Sequence, residues 1–172
     1  MTQPLTFLFN DDGKVPNNPT LPALVYKAAI DLRGNADPEA AIERAFKKNG
    51  WGHNMWRNGI FPYAHYHSMI HEALGIARGR ARVRLGGDAG EILDLIPGDV
   101  AVLPAGTGHQ RLSGSNDLLV IGAYPPEGTY NLCRAENPAD REAALATIPK
   151  VPLPDSDPVA GNEGPLTKLW RR

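Results

Sequence analysis

The chain has 172 residues, 42% hydrophobic and 22% charged, with a formal net charge of −1. That is the length of one domain with a core of its own, and the balanced charge gives no general pull toward nucleic acid or an anionic membrane surface. A single cysteine, Cys133, excludes an internal disulfide framework.

The opening residues, Met1 to Asp12, carry no basic head and only a brief apolar run. They do not read as a secretion signal, and no window reaches the ~20 apolar residues of a membrane span. A cytoplasmic protein is expected. Thr6–Phe9 is expected to form a short edge strand, stopped by Asn10-Asp-Asp-Gly13, and Val15–Pro22 an extended loop. Leu21–Ile30 is mostly apolar with β-branched and aromatic members and reads as a strand. Asp37-Pro38-Glu39 opens a helix: Asp37 can accept a bond from an orphan amide, Pro38 suits the first helical position, and Gly50 supplies a left-handed stop. Ile42, Ala45 and Phe46 share its buried face.

From Trp51 onward short strands dominate. Arg80–Leu85 alternates strictly, with Arg80, Arg82 and Arg84 on the solvent face, and Gly86–Gly90 is a turn. Glu91–Ile96 follows, then Pro97-Gly98 at the centre of a type II turn. Val100–Leu103, a strand through His109, the turn Ser113–Asp117 and the strand Leu118–Tyr124 complete the pattern. The 18 glycines and 16 prolines suit many short strands joined by tight turns. Asn137 caps a short helix to about Thr147, and a proline-rich tail from Pro149 is expected to lie back on the domain through Leu166, Leu169 and Trp170. Cys133 reads as a buried small residue, Met69 as core filler and His53 as a loop residue. Trp51 and Trp56 are expected as packing anchors.

Three of the five histidines fall in one stretch, His65, His67 and His71, beside Glu72, and His109 arrives downstream. Imidazole nitrogens and carboxylate oxygens are the usual ligands of borderline divalent metals. On a strand His65 and His67 project from one face. If that face is a barrel interior, leaving both imidazoles unpaired there is costly, and a metal is one way to satisfy them.

The spacing is wider than that pair. Gly59, five residues, His65-x-His67, four residues, Glu72, six residues, Gly79 makes one segment. Gly98, five residues, Pro104-x-Gly106, two residues, His109 makes the other. Together they resemble the two signature motifs of the cupin superfamily, with one departure: the second motif usually closes on an asparagine where this chain has Ser113. Trp56-Arg-Asn-Gly-Ile60, His65-Tyr-His-Ser68, His71-Glu72, Gly122-Ala-Tyr-Pro125 and the Gly164-Pro-Leu…Lys-Leu-Trp170 tail narrow the resemblance to the YjlB-like bacterial cupins. The resemblance implies an all-β fold, a double-stranded β-helix barrel over about residues 57–125, inside a single domain spanning 1–172. Residues 1–56 would form an N-terminal arm with a strand and a helix, and 126–172 a tail. It also implies that His65, His67, Glu72 and His109 hold one divalent transition metal: Fe, Mn, Ni, Co or Zn. Strand parity from His67 would favour His71 as the fourth ligand; a bend in the gap and the spacing to Gly79 favour Glu72. His71 and Tyr66 are then the candidate proton shuttles. Tyr63, Tyr66 and Tyr124 could line the cavity mouth, or be packed aromatics with wet hydroxyls.

The expected function is a small metalloenzyme acting on an oxygen-rich small molecule, of dioxygenase or isomerase, epimerase or lyase type. The alternative is a non-catalytic module that binds or senses a sugar or organic acid. No DNA-binding helix pair is legible, so a nucleic-acid partner is not expected. The balanced charge and the lack of an apolar span give no expectation of a membrane partner. A homodimer is expected through exposed sheet edges.

Overall fold

A computed structural model describes residues 3–171. Its elements are β1 (Leu5–Phe7), β2 (Ala23–Tyr26), α1 (Pro38–Lys48), β3 (His53–Asn58), β4 (His65–Tyr66), β5 (Glu72–Arg78) and β6 (Ala81–Leu85). They continue with β7 (Glu91–Leu95), β8 (Val100–Leu103), β9 (His109–Gly114), β10 (Leu119–Tyr124), β11 (Cys133–Arg134), α2 (Pro138–Thr147) and α3 (Pro165–Leu169). Six strands form one antiparallel sheet in the order β1-β2-β8-β5-β10-β3, and five form the other, β11-β4-β9-β6-β7. From β3 onward successive strands fall alternately into the two sheets, except that the hairpin β6–β7 stays in the smaller one, and that winding makes the double-stranded β-helix barrel.

The period of two along each strand sorts the core into layers. Leu74, Ile76, Val83, Leu85, Leu103 and Val120 fill the space between the sheets. From the same strands Ala73, Ala77, Val102 and Ile121 face outward, where Ile42 and Phe46 of α1 and Leu166 and Trp170 of the tail cover them. A third cluster, on the outside of the smaller sheet, joins Tyr66, Cys133, Ala144 and Ile148.

Helix α1 begins where its cap dictates: the Asp37 carboxylate accepts from Ala40 N at 3.0 Å. It ends at Gly50, with φ +82°, as Trp51 N reaches back to the Phe46 carbonyl at 2.8 Å. The tail is tied down by polar bonds as well as by packing. Tyr26 Oη donates to the buried Asp157 carboxylate at 2.5 Å, and Trp170 Nε1 donates to the Pro22 carbonyl at 2.9 Å.

Several local expectations need correction. The strand expected over Leu21–Ile30 is only Ala23–Tyr26, because Ala28 turns to positive φ and gives its N–H to the Asp99 carboxylate instead of a ladder partner. His53 is not in a loop but opens β3, opposite Tyr124. Ser113 belongs to β9, paired with Arg82, and the turn starts one residue after Gly114. Met69 is 39% exposed and fills no core. The alternation in β6 stands as read: Ala81, Val83 and Leu85 are buried, and Arg82 meets Asp94 on the outside. Among the described residues no helix is long and apolar enough to cross a membrane.

Candidate metal centre

Strand pairing brings the two histidine segments together. His65 on β4 sits directly opposite His109 on β9, with ring centroids 4.0 Å apart. His67, two residues along, keeps the same inward face. The ligand atoms of His65, His67 and His109 all lie within 4.8 Å of one another, and all three residues are buried.

Glu72 joins them because the chain bends between the strands. Residues 67–71 leave the ladder, and pairing resumes only at Glu72, opposite Leu103. From there Glu72 shares the inward face with Leu74 and Ile76, while His71 is turned outward. The carboxylate oxygen Oε2 stands 3.3 Å from His67 Nε2 and 3.2 Å from His109 Nε2.

Each imidazole is held by its other nitrogen. His65 Nδ1 meets the Tyr63 carbonyl at 3.0 Å, His67 Nδ1 the Asn131 carbonyl at 2.5 Å, and His109 Nδ1 the Thr107 carbonyl at 3.1 Å. A carbonyl can only accept, so each Nδ1 carries the proton and each Nε2 presents a lone pair to the common centre. Glu72 Oε2 is buried there without a hydrogen-bond partner. Leaving such an oxygen unmet costs about 1–3 kcal/mol or more. Three inward lone pairs and an orphaned carboxylate oxygen are a donor set that fits a divalent cation.

The electrostatics agree with the geometry. Burial presses the His67 pKa down, but the neighbouring Glu72 carboxylate outweighs it and holds the value above that of an ordinary imidazole. Burial alone would push Glu72 up, yet the adjacent imidazoles of His67 and His109 pull it below the usual carboxylate range. His65, farther from the carboxylate, is pushed down to about 3 by burial and by His109. The pocket favours an ionised acid at Glu72 with positive charge beside it at His67, and keeps His65 neutral.

Glu72 is oriented in turn. Trp56 Nε1 donates to Tyr124 Oη at 2.9 Å, and Tyr124 Oη donates to Glu72 Oε1 at 3.0 Å. That relay occupies Oε1 and leaves Oε2 for the centre. It depends on Gly122, which faces Trp56 across β10 and β3: a Cβ there would come within 1.9 to 2.3 Å of the indole. On the other side, Asn131 accepts from Ser68 N and Met69 N and donates to Ser68 Oγ, fixing the carbonyl that holds His67. The hydroxyl of Tyr124 is therefore a buried link in this chain, not a wet one. Asn131 was invisible in the sequence, since nothing local marks it as the neighbour of a residue 64 positions earlier.

His65, His67, Glu72 and His109 open onto a cavity of about 420 Å³, whose walls include Trp56, Ile60, Phe61, Leu74, Tyr124 and Tyr130. His71 and Tyr66 are not among its lining residues. His71 accepts from Ala105 N through Nδ1 and meets the Pro152 carbonyl through Nε2, beneath Trp170. Burial lowers its pKa to about 4. Tyr66 points from the opposite face of β4 into the cluster against α2. Tyr63 stays half-buried beside the mouth, stacked on Phe61 with ring centroids 5.0 Å apart.

The chain is 40% identical over 165 residues to a protein of Bacillus subtilis (strain 168) described as "Uncharacterized protein YjlB", covering 96% of this chain and 95% of that one. No family model matches it. Similar solved structures include an acireductone dioxygenase from Bacillus anthracis with a cadmium ion in its active centre, 18% identical over 62% of this chain and 80% of that one, TM-score 0.42. Another is a protein with a double-stranded β-helix domain from Klebsiella pneumoniae, 14% identical over 78% and 81%, TM-score 0.37. An 11S globulin from Wrightia tinctoria matches at 16% identity over 46% of this chain, which spans 22% of that one, TM-score 0.38. Likenesses this distant assign no substrate.

Proposed function

The chain belongs to the YjlB-like cupins, and from that premise we propose that it is a mononuclear metalloenzyme that oxidises a small oxygen-bearing molecule with dioxygen. One observation carries the reading. Three imidazoles, each tied by Nδ1 to a backbone carbonyl, aim Nε2 at the same point as an unpartnered carboxylate oxygen, in the lining of a cavity.

His65, His67, Glu72 and His109 would hold the ion. Four protein ligands leave one or two coordination positions open toward the cavity, as metal catalysis requires. When bound, a divalent ion supplies electrophilic activation of oxygen ligands, and a redox-active one such as iron also supplies a path for electrons to dioxygen. The residues around it bind, orient and exclude water. Isomerisation or epimerisation is served less well, because it needs an acid or base free of the metal. Apart from the four ligands, the titratable lining residues are Arg57, Tyr124 and Tyr130, and burial pushes both tyrosines above the ordinary phenol range. Arg57 pairs with Glu43 on α1 at 2.7 Å.

The test is metal content after purification without added metal, followed by oxygen uptake of the iron-loaded protein with compounds bearing adjacent oxygens. One ion per chain and oxygen consumption above that of free iron support the reading. One zinc, manganese or nickel per chain with no oxygen consumed overturns the oxidative part. A chain that takes up no metal overturns all of it. The same reading takes the molecule as a homodimer paired through the outer edge of β1, where Leu5 is exposed; a monomer mass by light scattering refutes that.

A further inference from the structure

Resting on the metal-site reading, we infer that the substrate is an aromatic vicinal diol, bound as a monoanion through both oxygens with its ring between Trp56, Phe61 and Tyr130. The inference comes from the walls of the cavity and from its charge.

The walls are aromatic on several sides of the centre. Phe61 stands on the His65 side, with ring centroids 5.1 Å apart and planes at 74°. Tyr130 stands on the His67 side, 5.0 Å away. Trp56 also lines the cavity, its indole laid across Gly122. Phe61 and Tyr130 remain 41% and 49% exposed, so two large ring surfaces border the opening with no protein covering much of them. The long apolar and aromatic rim suits a flat unsaturated ring, which gains from each face and edge it meets.

Charge limits what hangs on the ring. A divalent ion together with the Glu72 carboxylate leaves one positive charge, which a single anionic oxygen neutralises. The only cationic side chain among the lining residues is Arg57. Its Nε and Nη2 are taken by Glu43 of α1 at 2.7 and 3.1 Å, on the far face of β3. A dianion such as a dicarboxylate would therefore bring a charge that nothing in the cavity meets. The cavity side of β3 instead carries the amides of Asn54 and Asn58, which suit neutral polar groups.

The probe is 4-nitrocatechol, whose visible band differs between monoanion and dianion, so a bound spectrum of the monoanion is expected and a dianion spectrum overturns the charge assignment. Zinc-loaded protein is titrated with it, with oxalate and with glycolate, and metal retained after desalting is measured in parallel. The expected result is one nitrocatechol per bound zinc, at least about tenfold tighter than glycolate, with oxalate weaker still. Tyr130→Leu and Phe61→Leu, both at exposed positions, should each weaken nitrocatechol roughly three- to tenfold while zinc loading and glycolate affinity stay unchanged. Zinc loading normally with oxalate or glycolate bound as tightly as nitrocatechol overturns the substrate class and leaves the metal reading standing. Equal nitrocatechol affinity in both leucine variants overturns it in the same way. Failure to load zinc overturns both together.

Discussion

His65 and His109 are cross-strand partners, their rings 4.0 Å apart, although 44 positions separate them in the chain. A pair so placed brings two inward lone pairs together whether or not a cation is present, and that repulsion is relieved only when a cation or a proton arrives. Zinc binding should therefore raise the unfolding temperature, with about 2.7 kcal/mol of stabilisation at a free metal concentration a hundred times the dissociation constant. His109→Ala should abolish the increment in calorimetry. An equal increment in that variant would place the ion elsewhere.

Tyr124→Phe removes one hydroxyl and little volume. Its loss frees Glu72 Oε1 from the Trp56–Tyr124 relay, so the carboxylate is no longer aimed. Metal affinity should fall roughly 10- to 100-fold, read by competition with a chromogenic chelator, while the circular dichroism spectrum stays as in the parent.

Gly122→Ala is expected to be costlier than its size suggests. The new methyl would meet the Trp56 indole at 1.9 to 2.3 Å, and the indole cannot move without breaking its bond to Tyr124. Overpacking of this kind costs about 1–3 kcal/mol. Denaturant midpoints should show that loss, with a changed tryptophan emission and weakened metal binding; an unaltered emission spectrum would mean the indole does not lie on Gly122.

Asn131→Ala should loosen His67 without touching the metal directly. Asn131 Oδ1 accepts from Ser68 N and Met69 N, so its truncation leaves two amides unmet and lets the carbonyl behind His67 drift. Zinc affinity should drop by about tenfold or more, and Asn131→Asp, which keeps an acceptor, should restore part of it.

Acid should weaken the packing of α1. The Arg78 guanidinium beside Glu39 holds that carboxyl at about 2, against burial that would raise it. A carboxyl lowered in the folded state contributes stability that is full above its ordinary value and is lost as pH falls from there toward 2. Glu39→Gln should therefore flatten the dependence of unfolding free energy on pH between about 5 and 2. A variant with the parent's slope would show the pair to be solvated and without effect.

The sequence alone determined the class of fold and marked the candidate donors. Alternation in Ala81–Leu85, the turn at Pro97-Gly98 and the cap at Asp37 are local, because backbone sterics and nearest-neighbour hydrogen bonds decide them within a few residues. The spacing of His65, His67, Glu72 and His109 was equally plain in the text. What the chain order did not contain was which way each side chain turns once strands pair. The bend after His67 resets the parity, so Glu72 enters the barrel and His71 packs under Trp170. Tyr66 faces α2 because it alternates with two inward histidines. The Trp56–Tyr124–Glu72 relay and the hold of Asn131 on His67 join residues 52 to 68 positions apart. Only closure of the two sheets creates those contacts, since each depends on the register between strands that do not adjoin in sequence.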